Sequence, residues 1–308
     1  MKYCVVILDG AAGLPLTGHG GRTSLELAAT PNLDALAPQG QVGLVRTVPA
    51  GMEPSSACAC MSLLGYDPTV YYRGRAAIEA VGMDIPVDDG EVAFRCNLVT
   101  VEDGRMRSHS CGGITSEEAH RLVDALNDEL GGYGARFFRG VKYRHICKLV
   151  GREDTLSATC TPPHDILGQP VAEYLPRGPG SDYLRELMTA SEGVLAGHPV
   201  NRVRRAAGKA PATGIWLFWG SGQVPAMPSF SEVFGVTAAM TSAVDLLNGL
   251  ARMAGIDVLS LPGVSDGPEN DYAGQAVGAL AALADHDMVV VHVEASDEAA
   301  HAGSVTEK

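Results

Sequence analysis

The sequence lacks the features of a membrane-spanning, secreted or nucleic-acid-binding protein. No apolar run in its 308 residues reaches the roughly 20 residues that cross a bilayer. Asp9 interrupts the first apolar run, so the N-terminus shows no signal-peptide pattern. Basic residues are in deficit, because 23 Lys and Arg face 36 Asp and Glu for a net charge of -13. We therefore predict a cytoplasmic protein without a nucleic-acid or membrane partner.

Paired cysteines, internal repeats and low-complexity linkers are also missing. The 7 cysteines are an odd number in a long chain, which favours reduced thiols over a disulfide framework. Cys58 and Cys60 are too closely spaced for a zinc ribbon, and we interpret them as small packing residues. A chain of this length with 46% hydrophobic residues favours two domains over one.

A short apolar run ending in an acidic residue organises the start of the chain. Residues 5–8 need apolar cover on both faces, as in a sheet flanked by helices. Asp9 follows this run and would lie at the carboxyl end of the strand, where open α/β sheets bind ligands. Taken alone, Asp9-Gly10 is equally typical of a turn.

A second acidic cluster follows a β-branched run near the other end of the sequence, at residues 288–293. Asp297 and His301 are four residues apart, so on a helix they share a face and could bind one divalent ion. The alternative is a capped helix start with an exposed histidine. Without Asp9 and a serine to complete the site, that alternative would be preferred.

Ser56 supplies the serine, at or just before the start of a helix predicted over residues 57–64. Free N–H groups and the helix dipole at such a position favour an anion and stabilise an ionised hydroxyl. Ser56 is therefore a candidate metal-activated nucleophile. Ser55 or Ser56 could instead cap the helix, and both interpretations can hold together.

Alternating strand and helix patterns predict a doubly wound α/β core that is split by an insertion of about half the chain. The predicted strands are residues 5–8, 41–48, 91–101, 142–150, 215–219, 257–261 and 288–293. The predicted helices are residues 57–64, 116–130, 181–195, 238–254 and 272–284, with a further helix capped by Thr30 and starting at Pro31. The core would comprise residues 1–75 and 230–308, and the insertion residues 76–229. A basic run at residues 201–205 is typical of a solvated face, but it could also grip a phosphate or carboxylate.

Ordered motifs along the whole chain resemble one enzyme family. They read VVILDGAAGLP, ATPNLDALA, PSSACACMSLLGYDP, YYRGRAAIEA, AFRCNLVTVEDGRM, TPPHDILGQPVAEYLP, HPVNRVRRAAGKAPAT, TSAVDLLNGLARMAGIDV and HVEASDEAAHAG. In these motifs the chain resembles the archaeal-type, cofactor-independent (2,3-bisphosphoglycerate-independent) phosphoglycerate mutases of the alkaline phosphatase superfamily. The resemblance implies an alkaline-phosphatase-like core with an inserted second α/β domain that acts as a substrate lid.

The resemblance also implies an isomerase of glycolysis that interconverts 2- and 3-phosphoglycerate through a phosphoserine, at two divalent ions. The expected metal is manganese, with magnesium, zinc or cobalt as alternatives, and no 2,3-bisphosphoglycerate is required. By position, Asp9 and Ser56 match ligands of one ion, Ser56 also matches the nucleophile, and Asp297 and His301 match ligands of the other. Arg144, Arg202 and Arg205 are the candidate grips on substrate phosphate and carboxylate. Homo-oligomerisation is left open.

Four positions depart from the family pattern. Ala57 replaces an aspartate beside the nucleophile, and Gly113 replaces a histidine on the substrate side. Gln223 replaces an arginine, and Asn248 replaces a lysine. These changes leave two other functions open: a metal-dependent phosphatase or phosphotransferase on another small phosphate ester, and a catalytically silent binding or scaffold protein.

The last residues raise a separate expectation. The resemblance implies that family members continue beyond HAGSVTEK into an Asp-His pair and a later histidine, which complete both metal sites. We therefore predict a truncated chain that binds metal poorly and has little activity.

Overall fold

Strands predicted at opposite ends of the chain pair with each other in one parallel sheet. The computed structural model describes residues 1–308 and divides them into two units. Unit 1 comprises residues 1–72 and 226–308, and unit 2 comprises residues 73–225. Parallel strands in unit 1 and antiparallel strands in unit 2 confirm a mixed α/β class.

The regular elements cover most of the segments in which the sequence shows a clear period. The strands are β1 (Tyr3–Leu8), β2 (Glu91–Glu102), β3 (Arg105–Ser108), β4 (Ala135–Phe138), β5 (Arg144–Val150), β6 (Gly214–Ser221), β7 (Ala238–Thr241), β8 (Asp257–Val258) and β9 (Met288–Val293). The helices are α1 (Ser24–Leu27), α2 (Pro31–Leu36), α3 (Ser56–Leu63), α4 (Pro68–Tyr71), α5 (Arg75–Gly82), α6 (Ser116–Leu130), α7 (Ser181–Ala196), α8 (Pro199–Ala206), α9 (Phe230–Phe234), α10 (Asp245–Met253), α11 (Tyr272–Ala282) and α12 (Ala295–His301). None of them combines the length and the apolar composition needed to cross a membrane.

The sheet of unit 1 has the strand order β1-β9-β7-β8, and all of its pairings are parallel. β1 and β9 run in register, with Leu8 opposite Val293. The carboxyl ends of these two strands therefore stop at the same level. α10 packs on β7, β8 and α3, and α11 packs on β7 and β9.

In the sheet of unit 2, alternate residues of a strand face opposite sides of the sheet. In β2, Phe94, Cys96 and Leu98 join an apolar core with α6 and α7. The intervening Ala93 packs with alanines of α5 on the opposite face. Arg95 shares that face with Ala93, and its guanidinium lies 2.6 Å from the carboxylate of Glu79 in α5.

Three sequence predictions of secondary structure are wrong in whole or in part. Residues 41–48 form no strand and are mostly exposed, because no neighbouring strand supplies hydrogen-bond partners. The helix predicted over 238–254 begins only at Asp245, since residues 238–241 form β7 between β8 and β9. Pairing on both edges there overrides the helix preference of alanine and methionine. The strand predicted over 257–261 is also shorter, ending at Val258.

His145 gives unit 2 a pH-dependent stability. Its Nδ1 accepts a hydrogen bond from the Gly140 N–H at 3.0 Å, so the folded state holds the neutral ring. Burial, followed by the charges of His120 and Arg95, lowers the pKa of His145 from 6.5 to about 3. Between these values the unfolded chain binds the extra proton and the folded chain does not. The free energy of unfolding should therefore fall as the pH is lowered through this window, by about 1.4 kcal/mol per pH unit from this group.

Urea unfolding of the wild type and of His145→Asn at about pH 7 and about pH 5 measures this contribution. The asparagine Oδ1 can still accept from Gly140, but it does not titrate. We expect the wild type to lose more stability on acidification than the variant. Equal losses in the two proteins would show that His145 is not responsible.

Candidate active site

The polar side chains of unit 1 gather where its parallel strands end. Asp9 follows β1, Ser242 follows β7, and Glu294 follows β9. The Asp9 N–H donates to the Val293 carbonyl at 3.0 Å, so the first acid is fixed directly beside the end of β9. The sequence placed Asp9 at such a strand end, and the structure does so.

Ser56 is the first residue of α3 and lies next to Asp9. Its hydroxyl is near enough to the Asp9 carboxylate to help lower the pKa of that acid. Ser55 is the helix cap, because its Oγ accepts from the Cys58 N–H at 3.3 Å. The two serines thus have separate tasks, and Ser56 is left to face the acid.

Asp297 and His301, the second predicted pair of ligands, belong to α12, which lies against the loop that follows β1. Gly10 has φ 68°, and a Cβ there would lie 2.4 Å from the Cα of Asp297, so only glycine permits this close approach. The Ser296 hydroxyl donates to the Asp9 carbonyl at 2.5 Å. His301 Nε2 lies 3.3 Å from the Asp297 carboxylate across one turn of α12, and the His301 side chain is 72% exposed. All four sequence-predicted ligands are therefore brought to one end of the sheet, while their roles stay predictions.

Two residues that sequence reasoning missed complete this cluster. His292, in β9, points its Nε2 at Asp9, at 3.4 Å from Oδ2. Cys60, in α3, places its thiol so that the donor atoms of Asp9, Cys60 and His292 all lie within 4.8 Å of one another. His292 interrupts a run of valines, and that interruption is the signal that could have identified it. Cys60 carries no such signal, because a small apolar side chain within a helix is typical of a packing residue.

The electrostatics of this cluster are those of a site that prefers a cation. The hydrogen bond from His292 holds the pKa of Asp9 below its ordinary value, although burial acts to raise it. The charge of His292, the Ser56 hydroxyl and the Gly10 N–H also lower this pKa. Burial, followed by the negative charges of Asp9 and Glu294, raises the pKa of Cys60 to about 12. Carboxylate, imidazole and thiol donors together fit a divalent transition metal.

The three arginines predicted to grip substrate belong to unit 2 and have different surroundings. Arg202 and Arg205 are exposed on α8 and donate to the carbonyls of Gly197 and Ala196 at the end of α7. Arg144 begins β5, and its guanidinium lies 5.5 Å from the ring centroid of Tyr143. Arg144 and the two arginines of α8 thus lie on different elements with different partners, and their substrate roles stay predictions.

Arg204, within the same basic run, has a structural role. It is 1% exposed, and its guanidinium lies 2.6 Å from the Glu118 carboxylate. It also donates to the Cys111 and Ala210 carbonyls at 2.5 and 2.9 Å. The basic run at residues 201–205 is therefore not wholly exposed to solvent, and its arginines do not act together as one anion-binding site.

Unit 2 also holds a cation-rich aromatic cluster that the sequence did not reveal. The His164 ring lies 6.2 Å from that of His109 and 5.6 Å from that of Trp219. The Arg75 guanidinium stacks over Trp219 at 4.6 Å. Burial and the charge of Arg144 lower the pKa of His109, which places that arginine beside the cluster. Trp219 has φ 51°, a conformation that L-residues seldom adopt outside functional sites and turns.

Comparison with known proteins identifies the family. The profile of the 2,3-bisphosphoglycerate-independent phosphoglycerate mutases matches residues 37–201, more than half of the chain. The chain belongs to this family. The phosphoglycerate mutase of Methanothrix thermoacetophila is 48% identical over 308 residues, which are 100% of this chain and 77% of that protein. The family resemblance drawn from the motifs is thereby confirmed.

Two solved structures are similar to this chain over nearly its whole length. A protein from Pyrococcus horikoshii superposes with a TM-score of 0.77 at 28% identity, over 99% of this chain and 73% of that one. A cofactor-independent phosphoglycerate mutase from Thermoplasma acidophilum gives a TM-score of 0.56 at 30% identity, over 95% of this chain and 77% of that one. The family is one of isomerases, as predicted.

Proposed function

We propose that this chain interconverts 2-phosphoglycerate and 3-phosphoglycerate through a phosphoserine at Ser56. The observation that carries the proposal is that a member of the phosphoglycerate mutase family places Ser56, the first residue of α3, beside Asp9 at the end of a parallel sheet. The finer fold assignment is part of the same proposal, namely an alkaline-phosphatase-like core with an inserted substrate domain.

Ser56 is well placed to act as the nucleophile. As the first residue of α3 it lies among backbone N–H groups that have no partner within the helix, and these favour a negatively charged oxygen or phosphoryl group. The Asp9 carboxylate is close enough to the Ser56 hydroxyl for that hydroxyl to help lower the pKa of Asp9. Ser55 holds the helix start in place from the other side.

Asp9 and Ser56 would hold one divalent ion, and Asp297 with His301 a second. When bound, such ions lower the pKa of the serine hydroxyl and neutralise charge on the transferring phosphoryl group. Gly10 and Ser296 fix the spacing between the two acids, because one permits the close approach and the other hydrogen-bonds to the Asp9 carbonyl. The family name implies that bisphosphoglycerate is not needed.

The reaction balances as two phosphoryl transfers. The Ser56 oxygen forms a bond to phosphorus while the bond between phosphorus and the 3-oxygen of the substrate breaks, and the serine proton ends on that oxygen. Glycerate then reorients, and its 2-oxygen takes the phosphoryl group from Ser56 while Ser56 regains a proton. Water must be kept away from the phosphoserine, or hydrolysis would compete.

Arg144, Arg202 and Arg205 remain the proposed grips on the substrate, and the lid role of unit 2 remains a prediction. Of the three arginines, Arg144 has the surroundings that best suit an anion, because it lies with His109 near the aromatic cluster. A planar guanidinium can bind phosphate or carboxylate through two parallel hydrogen bonds.

Phosphatase activity is the second candidate, and Asn248 favours it. The resemblance implies a lysine at this position, and the Oδ1 of Asn248 is buried without a hydrogen-bond partner. The resemblance implies that this lysine, the histidine replaced by Gly113 and the arginine replaced by Gln223 face the substrate, so the three changes weaken the case for phosphoglycerate more than the case for metal-dependent phosphoryl transfer.

A single assay separates these functions. The 308-residue chain is given 3-phosphoglycerate with manganese, or with zinc or cobalt, and both 2-phosphoglycerate and inorganic phosphate are measured. We expect 2-phosphoglycerate above the level given by Ser56→Ala, which would also contradict the sequence-based expectation of little activity. Release of phosphate alone would favour the phosphatase. Neither product above that level would contradict the proposed function and favour the scaffold hypothesis.

A further inference from the structure

Cys60 brings a thiol to the acid that also contacts Ser56. The two residues are four apart in α3, so they lie on one face of the helix, with Cys60 one turn deeper. Cys58 is two residues from Cys60 and therefore points about 200° away around the helix. Of these two cysteines, only Cys60 joins the cluster with Asp9.

The spacing of the donor atoms suits a tetrahedral ion. Cys60 is 2% exposed and His292 is 1% exposed, so the ion would be shielded from water on most sides. Tetrahedral zinc bonds of about 2.0–2.3 Å place neighbouring donor atoms roughly 3.3–3.8 Å apart. His292 Nε2 and Asp9 Oδ2 are already 3.4 Å apart. The thiol lies within 4.8 Å of both, so a shift of about 1 Å completes the geometry.

His292 is oriented as metal-binding histidines are. Its Nδ1 lies 3.1 Å from the Ser242 hydroxyl. Ser242 Oγ in turn accepts from the Val244 N–H at 3.2 Å, which fixes that oxygen. With Nδ1–H donated to Ser242, Nε2 would present its lone pair to an ion lying between it and Asp9, in place of the hydrogen bond it makes to Asp9 when no metal is bound, and such outer contacts set the tautomer of ligating histidines. Glu294 Oε2 lies 3.5 Å from the same nitrogen and adds a second carboxylate beside the ion.

We propose that Asp9, Cys60 and His292 bind one divalent ion of the zinc or cobalt type. Thiolate and imidazole donors favour these metals over manganese and magnesium, which prefer oxygen. On binding, the Cys60 S–H bond breaks, its proton goes to solvent, and the sulfur bonds to the metal with no change of oxidation state. The inference deepens the proposed function, on which it rests because Asp9 is shared. It assigns Cys60 and His292 as further ligands of the ion held by Asp9, which the sequence analysis did not do.

Cobalt titration tests the thiol ligand. Chelator-treated protein with Cys4→Ser and Cys160→Ser, which removes the cysteines that are not buried, is titrated with cobalt chloride. We expect one equivalent to give a thiolate-to-cobalt charge-transfer band in the near ultraviolet, and zinc to displace it. Adding Cys60→Ser should abolish the band and weaken zinc binding at least about tenfold, while Cys58→Ser, the matched buried control, keeps both. An unchanged band in Cys60→Ser would overturn the proposal.

X-ray absorption of the zinc-loaded wild type gives a test that needs no variant. One sulfur neighbour at about 2.3 Å, with the remaining neighbours at about 2.0–2.1 Å, is expected. A shell of nitrogen and oxygen only would overturn the proposal even if the Cys60 variant failed to fold. Ser242→Ala should weaken zinc binding by about 10–100-fold through loss of the histidine orientation.

The outcome is independent of the mutase assay. A sulfur–metal bond without phosphoglycerate turnover would keep the metal site and reject the proposed function. Turnover without a sulfur–metal bond would keep the function and reject Cys60 as a ligand.

Discussion

Ser56→Ala is expected to abolish phosphoenzyme formation and to lower turnover by a factor of about 10⁴ or more, as removal of a nucleophile does in other covalent enzymes. The physical reason is that Ser56, unlike the capping Ser55, begins α3 beside the Asp9 carboxylate. The protein is exposed to 3-phosphoglycerate and metal and then quenched with acid. Peptide mass spectrometry locates the residue that carries the added phosphoryl mass. Steady-state conversion to 2-phosphoglycerate is measured in parallel.

Ser55→Ala is the matched control for this experiment. Ser55 caps α3 through its bond from the Cys58 N–H, so its loss should cost about 1 kcal/mol of stability and leave the phosphoenzyme in place. If Ser55→Ala removes the label and Ser56→Ala retains it, the nucleophile is Ser55. If neither removes it, the serine mechanism is wrong for this chain.

Glu79→Ala should be among the most destabilising single substitutions in unit 2. Glu79 is 6% exposed and pairs with Arg95, which is 7% exposed, at 2.6 Å and with Arg75 at 2.5 Å. Burial acts to raise the pKa of Glu79, but the two arginines outweigh it and hold that pKa below its ordinary value. Removing the carboxylate leaves the Arg95 charge buried without compensation, which costs about 3–5 kcal/mol.

Tryptophan fluorescence during urea unfolding reports on this loss, because the chain's 2 tryptophans are Trp216 and Trp219, both in unit 2. Glu117→Ala is the control, since its pair with Arg121 has the same charges but is 83% and 66% exposed. We expect that control to change stability by about 0.5 kcal/mol or less. Replacing Glu79 and Arg95 together by methionine should cost less than Glu79→Ala alone. Equal effects of Glu79→Ala and Glu117→Ala would show that the buried pair contributes no more than a surface pair.

The sequence by itself determined the elements whose pattern is local. The helix over 116–130 has its predicted ends, because Thr115 and Glu118 form a capping box that starts it and an apolar period of 3.6 runs through it. The strand over 288–293 is equally complete, and Asp9, Ser56, Asp297 and His301 were recognised from their places after strands and helix starts. Motifs of this kind report the backbone within a few residues, where propensity and capping act.

Only the tertiary structure decided which distant residues share the site and which apolar runs become strands. His292 and Cys60 are 232 positions apart in the sequence. They meet at Asp9 only because β1 pairs with β9 and α3 lies beside the ends of these strands. Residues 238–241 became a strand for the same reason, since partners on both edges outweighed their helix preference. Residues 41–48 had the pattern of a strand but no partner to pair with. Long-range hydrogen bonding and packing settle such cases, and neither is encoded in a local period.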